Sequence, residues 1–232
     1  MNLNEKHIVI TGVSKGIGLS LSKLLIDKSC HVYGWGRTDP GIKSDYFHFI
    51  SCDVRDENSV QSAAEKSLAM SNDSIDGLIN NAGLGYFGYL EEMPMDEIKV
   101  MMDTNVYGVF NVTRSLLPCF KENKSGHIIN ISSIAGIEAY PQVSVYSASK
   151  FAITGFSEAL YKELRDFGIK VTCVHPGSTQ TNFFDNVESI KAHDQMLSPV
   201  EVANNLVFLL ESSDNFLTNT IVFRPLQPKP KS

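Results

Sequence analysis

Short apolar runs alternate along this chain with longer stretches whose apolar positions recur every three or four residues. The runs His7–Thr11, His31–Trp35, Tyr46–Ser51, Gly77–Asn80, Gly126–Ser132, Ile169–Val174 and Thr220–Phe223 read as strands. Between them, Gly16 to Lys28 carries Ile17, Leu21, Leu24 and Leu25 at helical spacing, and Glu57 to Met70 turns Val60, Ala63, Ala64 and Leu68 to one side. Longer helices are predicted over 96–120, with Pro118 near the end, and over 144–167. A further one over 199–211 begins with Ser198 as its N-cap and Pro199 in its first turn. Strands without polar alternation, each followed by a helix, imply parallel β-α-β units. The expected fold class is α/β, a doubly wound parallel sheet with helices on both faces.

Length and charge narrow this further. A chain of 232 residues is enough for one such domain, placed at 1–224, followed by a Pro/Lys-rich tail over 225–232 that should be extended. The net charge of -6 and the absence of a basic stripe argue against nucleic-acid binding. The start of the chain runs straight into the first strand without a leader pattern, and no apolar run approaches the roughly 20 residues of a membrane span, so a cytoplasmic protein without membrane association is expected. Cys30, Cys52, Cys119 and Cys173 fall in no zinc or C-x-x-C spacing and read as free, mostly buried thiols. No metal is expected.

Two stretches carry candidate chemistry. The first strand opens into Thr11-Gly12-Val13-Ser14-Lys15-Gly16-Ile17-Gly18, where glycines let the backbone turn sharply before a helix whose N-terminus offers free N–H groups to an anion. Alone, such a turn is also compatible with a plain tight turn. The second stretch joins Ser132-Ser133, at the end of a buried strand, to Tyr146-Ser147-Ala148-Ser149-Lys150 on a helix. Tyr146 and Lys150 are four residues apart, so they share one helical face and can reach one point. In an open parallel sheet, ligands bind at the carboxyl ends of strands, which is where Ser133 falls.

These stretches, with Asn80-Asn81-Ala82-Gly83, Asn105 and Pro176-Gly177-x-x-x-Thr181 in the same order, resemble the short-chain dehydrogenase/reductase family over about residues 6–212. The resemblance implies a Rossmann fold with strand order 3-2-1-4-5-6-7, a nicotinamide cofactor, and a catalytic set of Asn105, Ser133, Tyr146 and Lys150. In that scheme Tyr146 exchanges a proton with a carbonyl or alcohol oxygen. Ser133 holds the same oxygen, Lys150 lowers the phenol pKa and binds ribose hydroxyls, and Asn105 holds a relay water. Cofactor contacts implied are Gly12, Ser14, Lys15, Gly16, Ile17 and Gly18 in the turn; Asp53 near the adenine; Asn80, Ala82 and Gly83 beside the adenosine; and Pro176, Gly177 and Thr181 around the nicotinamide. Asp53 is equally readable as a helix N-cap, and Asn80 as a brace between central strands.

At the end of the second strand an acidic residue would accept from ribose hydroxyls, whereas a basic one would hold a 2′-phosphate. Here Gly36 is followed by Arg37, with Lys15 nearby and Asp39 slightly further on, which predicts NADP(H). Residues 182–197, with Phe183, Phe184 and Met196, fall where the family places a substrate lid; with Tyr86, Phe87, Ile137 and Tyr140 they suggest an apolar pocket or part of the core. His175 and His193 are expected to be structural. The ending Thr220-Ile221-Val222-Phe223-Arg224-Pro225 lacks the family's common Asp-Gly-Gly and resembles the hydroxy-acid and serine dehydrogenase branch. The expected activity is an NADP-dependent oxidoreductase acting on a small carbonyl or alcohol substrate, with hydroxy acids and 3-oxoacyl thioesters as alternative substrates. A nucleotide-binding sensor without turnover is the alternative of a different class. The helices at 96–120 and 144–167 suggest a homodimer or homotetramer.

Overall fold

Seven strands pair in parallel in the order β3-β2-β1-β4-β5-β6-β7 in a computed structural model that describes residues 1–181, 183 and 193–227. They are β1 (His7–Thr11), β2 (His31–Gly36), β3 (Phe47–Ser51), β4 (Gly77–Asn80), β5 (Gly126–Ile131), β6 (Ile169–Pro176) and β7 (Thr220–Phe223). The helices are α1 (Gly16–Ile26), α2 (Glu57–Met70), α3 (Met95–Met102), α4 (Gly108–Asn123), α5 (Ser144–Leu164) and α6 (Pro199–Glu211). Alternate residues of each central strand point to opposite faces and both faces are apolar, so the sheet must be covered twice. On one side Val9, Trp35, Leu78, Ile128 and Val171 meet α2, α4 and α5; on the other Ile8, Ile10, Ile79, Ile129 and Val174 meet α1 and α6. Strand order reverses between β1 and β4, and their carboxyl ends mark the crevice such sheets use for ligands.

The predicted helix over 96–120 is divided. α3 passes through a π-turn at Asp103–Tyr107 into α4, which runs on past Pro118 to Asn123. A π-turn is an added residue within a helix, and here it turns Asn105 into the interior. The predicted helix over 144–167 is α-helical to Leu164 and ends in a 3₁₀ turn at Arg165–Phe167, closed by Gly168 at φ +71°. α6 begins as read from the sequence: Ser198 accepts from the Glu201 N–H while the Glu201 carboxylate accepts from the Ser198 N–H, forming a capping box. All four cysteines are free and buried. Among the described residues no helix is long and apolar enough to cross a membrane. The tail from 228 and positions 182 and 184–192 of the expected lid lie outside the described residues.

Burial of histidine in this sheet sets an acid limit on the fold. His127 on β5 is 1% exposed, and its Nε2 donates to the Thr172 hydroxyl at 2.8 Å, because that hydroxyl spends its own proton on the Thr218 carbonyl. Its Nδ1 is therefore bare and without a partner among the described residues. Protonating Nδ1 would bury an unpaired cation, and burial brings the His127 pKa down to about 3. The folded pKa lies below the unfolded value of about 6.5, so the unfolded chain binds the extra proton; stability is full above about 6.5 and is lost as pH falls from there toward 3. At pH 5 His127 alone should cost about 2 kcal/mol relative to pH 7. Urea unfolding at the two pH values, with His127→Gln as comparison, checks this: the variant should show a shallower pH slope.

Candidate active site

The helix that carries the candidate chemistry is oriented by ordinary packing. Along α5 the buried positions Tyr146, Ser149, Lys150, Ile153, Ser157, Leu160 and Leu164 form one stripe at helical spacing. Its apolar end packs beneath β5 and β6, and its first turns extend past the carboxyl ends of those strands. Tyr146 and Lys150 are thus the continuation of a core stripe beyond the sheet edge. Ser157 is fixed on the same stripe by Asn130 of β5, whose amide donates to its hydroxyl at 2.9 Å.

Ser133 leaves β5 in extended conformation and caps the 3₁₀ turn Ile134–Gly136, its hydroxyl oxygen accepting from the Ala135 N–H at 3.1 Å. That leaves the hydroxyl proton free to turn toward the nearby Tyr146 phenol, whose ionisation it favours. Ser132, one residue before, donates instead to the Lys150 carbonyl at 3.0 Å and serves the structure. Gly136 closes the arrangement: a Cβ there would lie 2.4 Å from Ser132 Oγ and 2.8 Å from the Lys150 carbonyl oxygen, so only glycine lets this turn lie flat on α5.

Lys150 is 5% exposed, and its ammonium donates to the Ile131 carbonyl at 3.0 Å, with Nζ 5.8 Å from the Tyr146 ring centre. The expected arrangement had the ammonium lowering the phenol pKa. Here burial dominates both groups: it pushes Tyr146 up to about 12, against which the nearby Ser133 hydroxyl acts, and brings Lys150 down to about 8. In the chain as described, Tyr146 holds its proton at neutral pH. Asn105, carried inward by the π-turn, accepts from the Leu84 N–H at 3.0 Å and donates to the Leu84 carbonyl and the Ser149 hydroxyl. Gly83 separates it from the lysine; a Cβ on Gly83 would stand 3.3 Å from Asn105 Oδ1 and 3.5 Å from Lys150 Nζ. Asn105, Gly83 and Lys150 therefore border one small space, next to the Ser133–Tyr146 pair.

The glycine turn is held open by residues from another strand. Gly12 has φ +75° and Gly16 φ +62°, conformations costly for residues with a Cβ. Asn81 donates to the Thr11 and Gly12 carbonyls at 2.9 and 3.0 Å, while the Thr11 hydroxyl accepts from the N–H groups of Asn81 and Ala82 at 3.0 Å. A Cβ on Gly18 would lie 2.4 Å from the Gly12 carbonyl oxygen and 2.6 Å from Asn81 Nδ2. Lys15 takes the N-cap position of α1 without a side-chain cap, and no acidic residue stands in the first turn. The helix N-terminus is therefore free to meet an anion, and the turn fits a pyrophosphate. Ser14 lies in this turn, whereas Ile17 packs its side chain against the core beside α6. Thr181 approaches Gly16, its methyl 3.2 Å from where a Cβ would be.

The remaining expected residues are spread around the same edge. Arg37 is exposed at the end of β2, beside Gly36, whose Cβ would meet nothing closer than 3.8 Å. Asp53 follows β3 and holds Arg55 through two contacts of 2.9 and 2.6 Å, which together with Arg37 lower its carboxyl pKa; the cap of α2 is Asp56. Asn80 is 2% exposed and donates to Thr113 and Asn130, bracing β4 against α4 and β5. Pro176 ends β6, and Gly177 donates its N–H to Phe223 at 2.7 Å. His193 accepts from the Gln195 N–H and shapes its own turn. Tyr140, read as part of an apolar pocket or of the core, instead turns outward to Glu138, which also holds Arg224 at 2.6 Å. Tyr146 belongs to a small apolar cluster with Met101 and Ala135, against which Leu84, Val143 and Phe183 among others pack, with the Phe87 and Phe183 rings each 5.4 Å from its own. Asn81 and Gly136 were not singled out by sequence reasoning, although both lie inside stretches that were.

The chain is similar to known proteins. A family model described as short chain dehydrogenase matches residues 6–192. A 3-ketodihydrosphingosine reductase of Bacteroides thetaiotaomicron is 41% identical over 184 residues, covering 79% of this chain and 68% of its own. A 3-oxoacyl-[acyl-carrier-protein] reductase of Chlamydia muridarum is 30% identical over 238 residues, covering 95% and 96%. Among solved structures, the closed form of a serine dehydrogenase complexed with NADP+ superposes with a TM-score of 0.88 at 28% identity, covering 94% of this chain and 95% of that one.

Proposed function

The chain belongs to the short-chain dehydrogenase family and is an oxidoreductase, and on that footing we propose that it reduces apolar ketones or aldehydes with NADPH. The observation that carries this is the meeting of Ser133, Tyr146 and Lys150 at one sheet edge, where Tyr146 packs in an apolar cluster with Leu84, Phe87, Val143 and Phe183. Gly12, Gly16 and Gly18 leave room for the pyrophosphate, and Gly83, Gly177 and Thr181 border the nicotinamide end. When bound, NADPH supplies the hydride. Ser133 orients the substrate oxygen by hydrogen bond, and Tyr146, proton-bearing at neutral pH, donates to that oxygen. Lys150 and Asn105 bound the space through which the tyrosine is reprotonated. The reductases and the NADP+-bound dehydrogenase among the relatives support this reading. Exposed Tyr107 and Phe151 on the outer helices, and Phe208 on α6, support a homo-oligomer.

The test is NADPH oxidation against a panel of neutral alkyl ketones and aldehydes, with a 3-oxo acid and a 3-oxoacyl thioester alongside. Turnover of the neutral series at lower KM than the charged acid supports the proposal; NADPH binding without turnover of any carbonyl overturns it in favour of a sensor. Cofactor choice has its own check. The open space at Gly36 admits a carboxylate at the end of β2, so Gly36→Asp should move the NADPH/NADH ratio of kcat/KM toward NADH by roughly tenfold or more, through repulsion of the 2′-phosphate and acceptance from ribose hydroxyls. An unchanged ratio would place the phosphate elsewhere than beside Arg37.

A further inference from the structure

We infer that His175 is a positioning residue for Ser133: its imidazole holds the Ser133 main-chain carbonyl and thereby fixes where the Ser133 hydroxyl points. The inference rests on the reductase reading of the Ser133–Tyr146–Lys150 site. The last ladder bond between β5 and β6 runs from the Ser132 N–H to the Val174 carbonyl at 2.8 Å, and beyond it Ser133 leaves the sheet. From that point the two strands are joined by a side chain. His175, the next residue of β6, is 0% exposed and places Nδ1 3.0 Å from the Ser133 carbonyl oxygen. The same oxygen accepts from the Gly136 N–H at 2.9 Å, so the carbonyl is held by two donors, one from its own turn and one from β6.

The chemistry of the ring follows from its partner. A carbonyl only accepts, so Nδ1 carries the proton and Nε2 is bare. Nε2 is also buried and has no hydrogen-bond partner among the described residues. A residue placed only to fill that volume would be apolar, since an unpartnered buried nitrogen is unfavourable. What the imidazole adds over leucine is the one N–H aimed at Ser133. Because the Ser133 hydroxyl oxygen also accepts from Ala135, holding its carbonyl fixes the whole peptide unit from which the hydroxyl projects toward Tyr146. Asparagine is the informative replacement, because its Nδ2, like histidine Nδ1, lies one bond beyond Cγ and donates.

The experiment uses the full chain with His175→Leu, His175→Asn, Ser133→Ala and the double variant His175→Leu/Ser133→Ala. Each is measured for kcat and KM with NADPH and a neutral ketone, and for NADPH affinity by fluorescence titration. Loss of the tether should lower kcat about tenfold, less than removal of an oxyanion donor does. NADPH affinity should stay within about twofold, and Asn should recover most of the rate. In the Ser133→Ala background the leucine substitution should change kcat by less than about twofold, since there is no hydroxyl left to position. An equal loss in both backgrounds, or no loss in either, overturns the inference. The ring itself gives a readout that needs no turnover: ¹⁵N shifts of His175 should report the neutral Nδ1-protonated tautomer, and an Nε2-protonated ring overturns the tether even if no ketone is reduced. Absence of carbonyl turnover in the unsubstituted chain counts against the reductase reading, and the tautomer then decides the tether separately.

Discussion

Tyr146→Phe is expected to lower carbonyl turnover by about 10³-fold, within the 10²–10⁴ range that a positioned acid supplies. The substitution removes one oxygen and leaves the ring, which is what packs: the Tyr146 ring meets Phe87 and Phe183 in a three-ring cluster, each with its centre 5.4 Å away. Fold stability should therefore change little, because the ring keeps its packing and the neighbouring Ser133 oxygen keeps the Ala135 N–H. NADPH affinity should hold within a few fold, since the glycine turn, Arg37 and Lys150 are untouched. The loss belongs in kcat, because proton donation to the substrate oxygen is an interaction of the transition state more than of the bound ground state. Burial pushes the phenol up to about 12, so in the protein as described it is a proton donor across the neutral range and not a phenolate. Steady-state kinetics with and without a saturating ketone, thermal unfolding and NADPH titration together decide it. Residual turnover above a tenth of the original rate would show that another group, Ser133 first among them, delivers the proton.

Several of these features were legible in the residue order because they depend on local spacing. Seven apolar runs became seven strands, with β1, β4 and β7 at the expected bounds, and α2 and α6 likewise. Tyr146 and Lys150 fall on one face because four residues make about a helical turn. What was not legible depends on contacts between distant segments. Asn81 was seen only as part of a motif, and its role as the clasp on the Gly12 turn requires β1 and β4 to be neighbours. The π-turn at Asp103–Tyr107 carries no periodicity signal long enough to read, although it is what directs Asn105 inward. His175 was readable only as structural, and what it holds emerges once β5 and β6 are aligned. The protonation of the site was also beyond the sequence: placing Lys150 one turn from Tyr146 suggested a lowered phenol pKa, but the ammonium is spent on Ile131 and burial raises it.

Gly136→Ala should be the most damaging single methyl in the site after the loss of the tyrosine hydroxyl. The added Cβ would lie 2.4 Å from Ser132 Oγ and 2.8 Å from the Lys150 carbonyl oxygen, where contacts of roughly 3.5 Å are the optimum, so the turn and α5 must part by about 1 Å. Neither side yields easily. Ser132 Oγ is held by its bond to that same Lys150 carbonyl, and the Gly136 carbonyl accepts from Thr154, so the crowding falls on two segments already tied together. Ser133 is on one of them and Tyr146 and Lys150 are on the other. A shift of that size between reacting groups costs on the order of 10²-fold in kcat, and overpacking of this kind costs about 1–3 kcal/mol of stability. The glycine turn and Arg37 lie on β1, α1 and β2, so NADPH affinity should be nearly unchanged. Kinetics and cofactor titration on Gly136→Ala, with Gly155→Ala on α5 as the control where a Cβ meets nothing within 4 Å, separate the two effects. A Gly136→Ala protein that keeps its kcat would mean that the turn after Ser133 can slide along α5 without disturbing the Ser133–Tyr146 pair, and the rigid relation between the two segments would have to be abandoned.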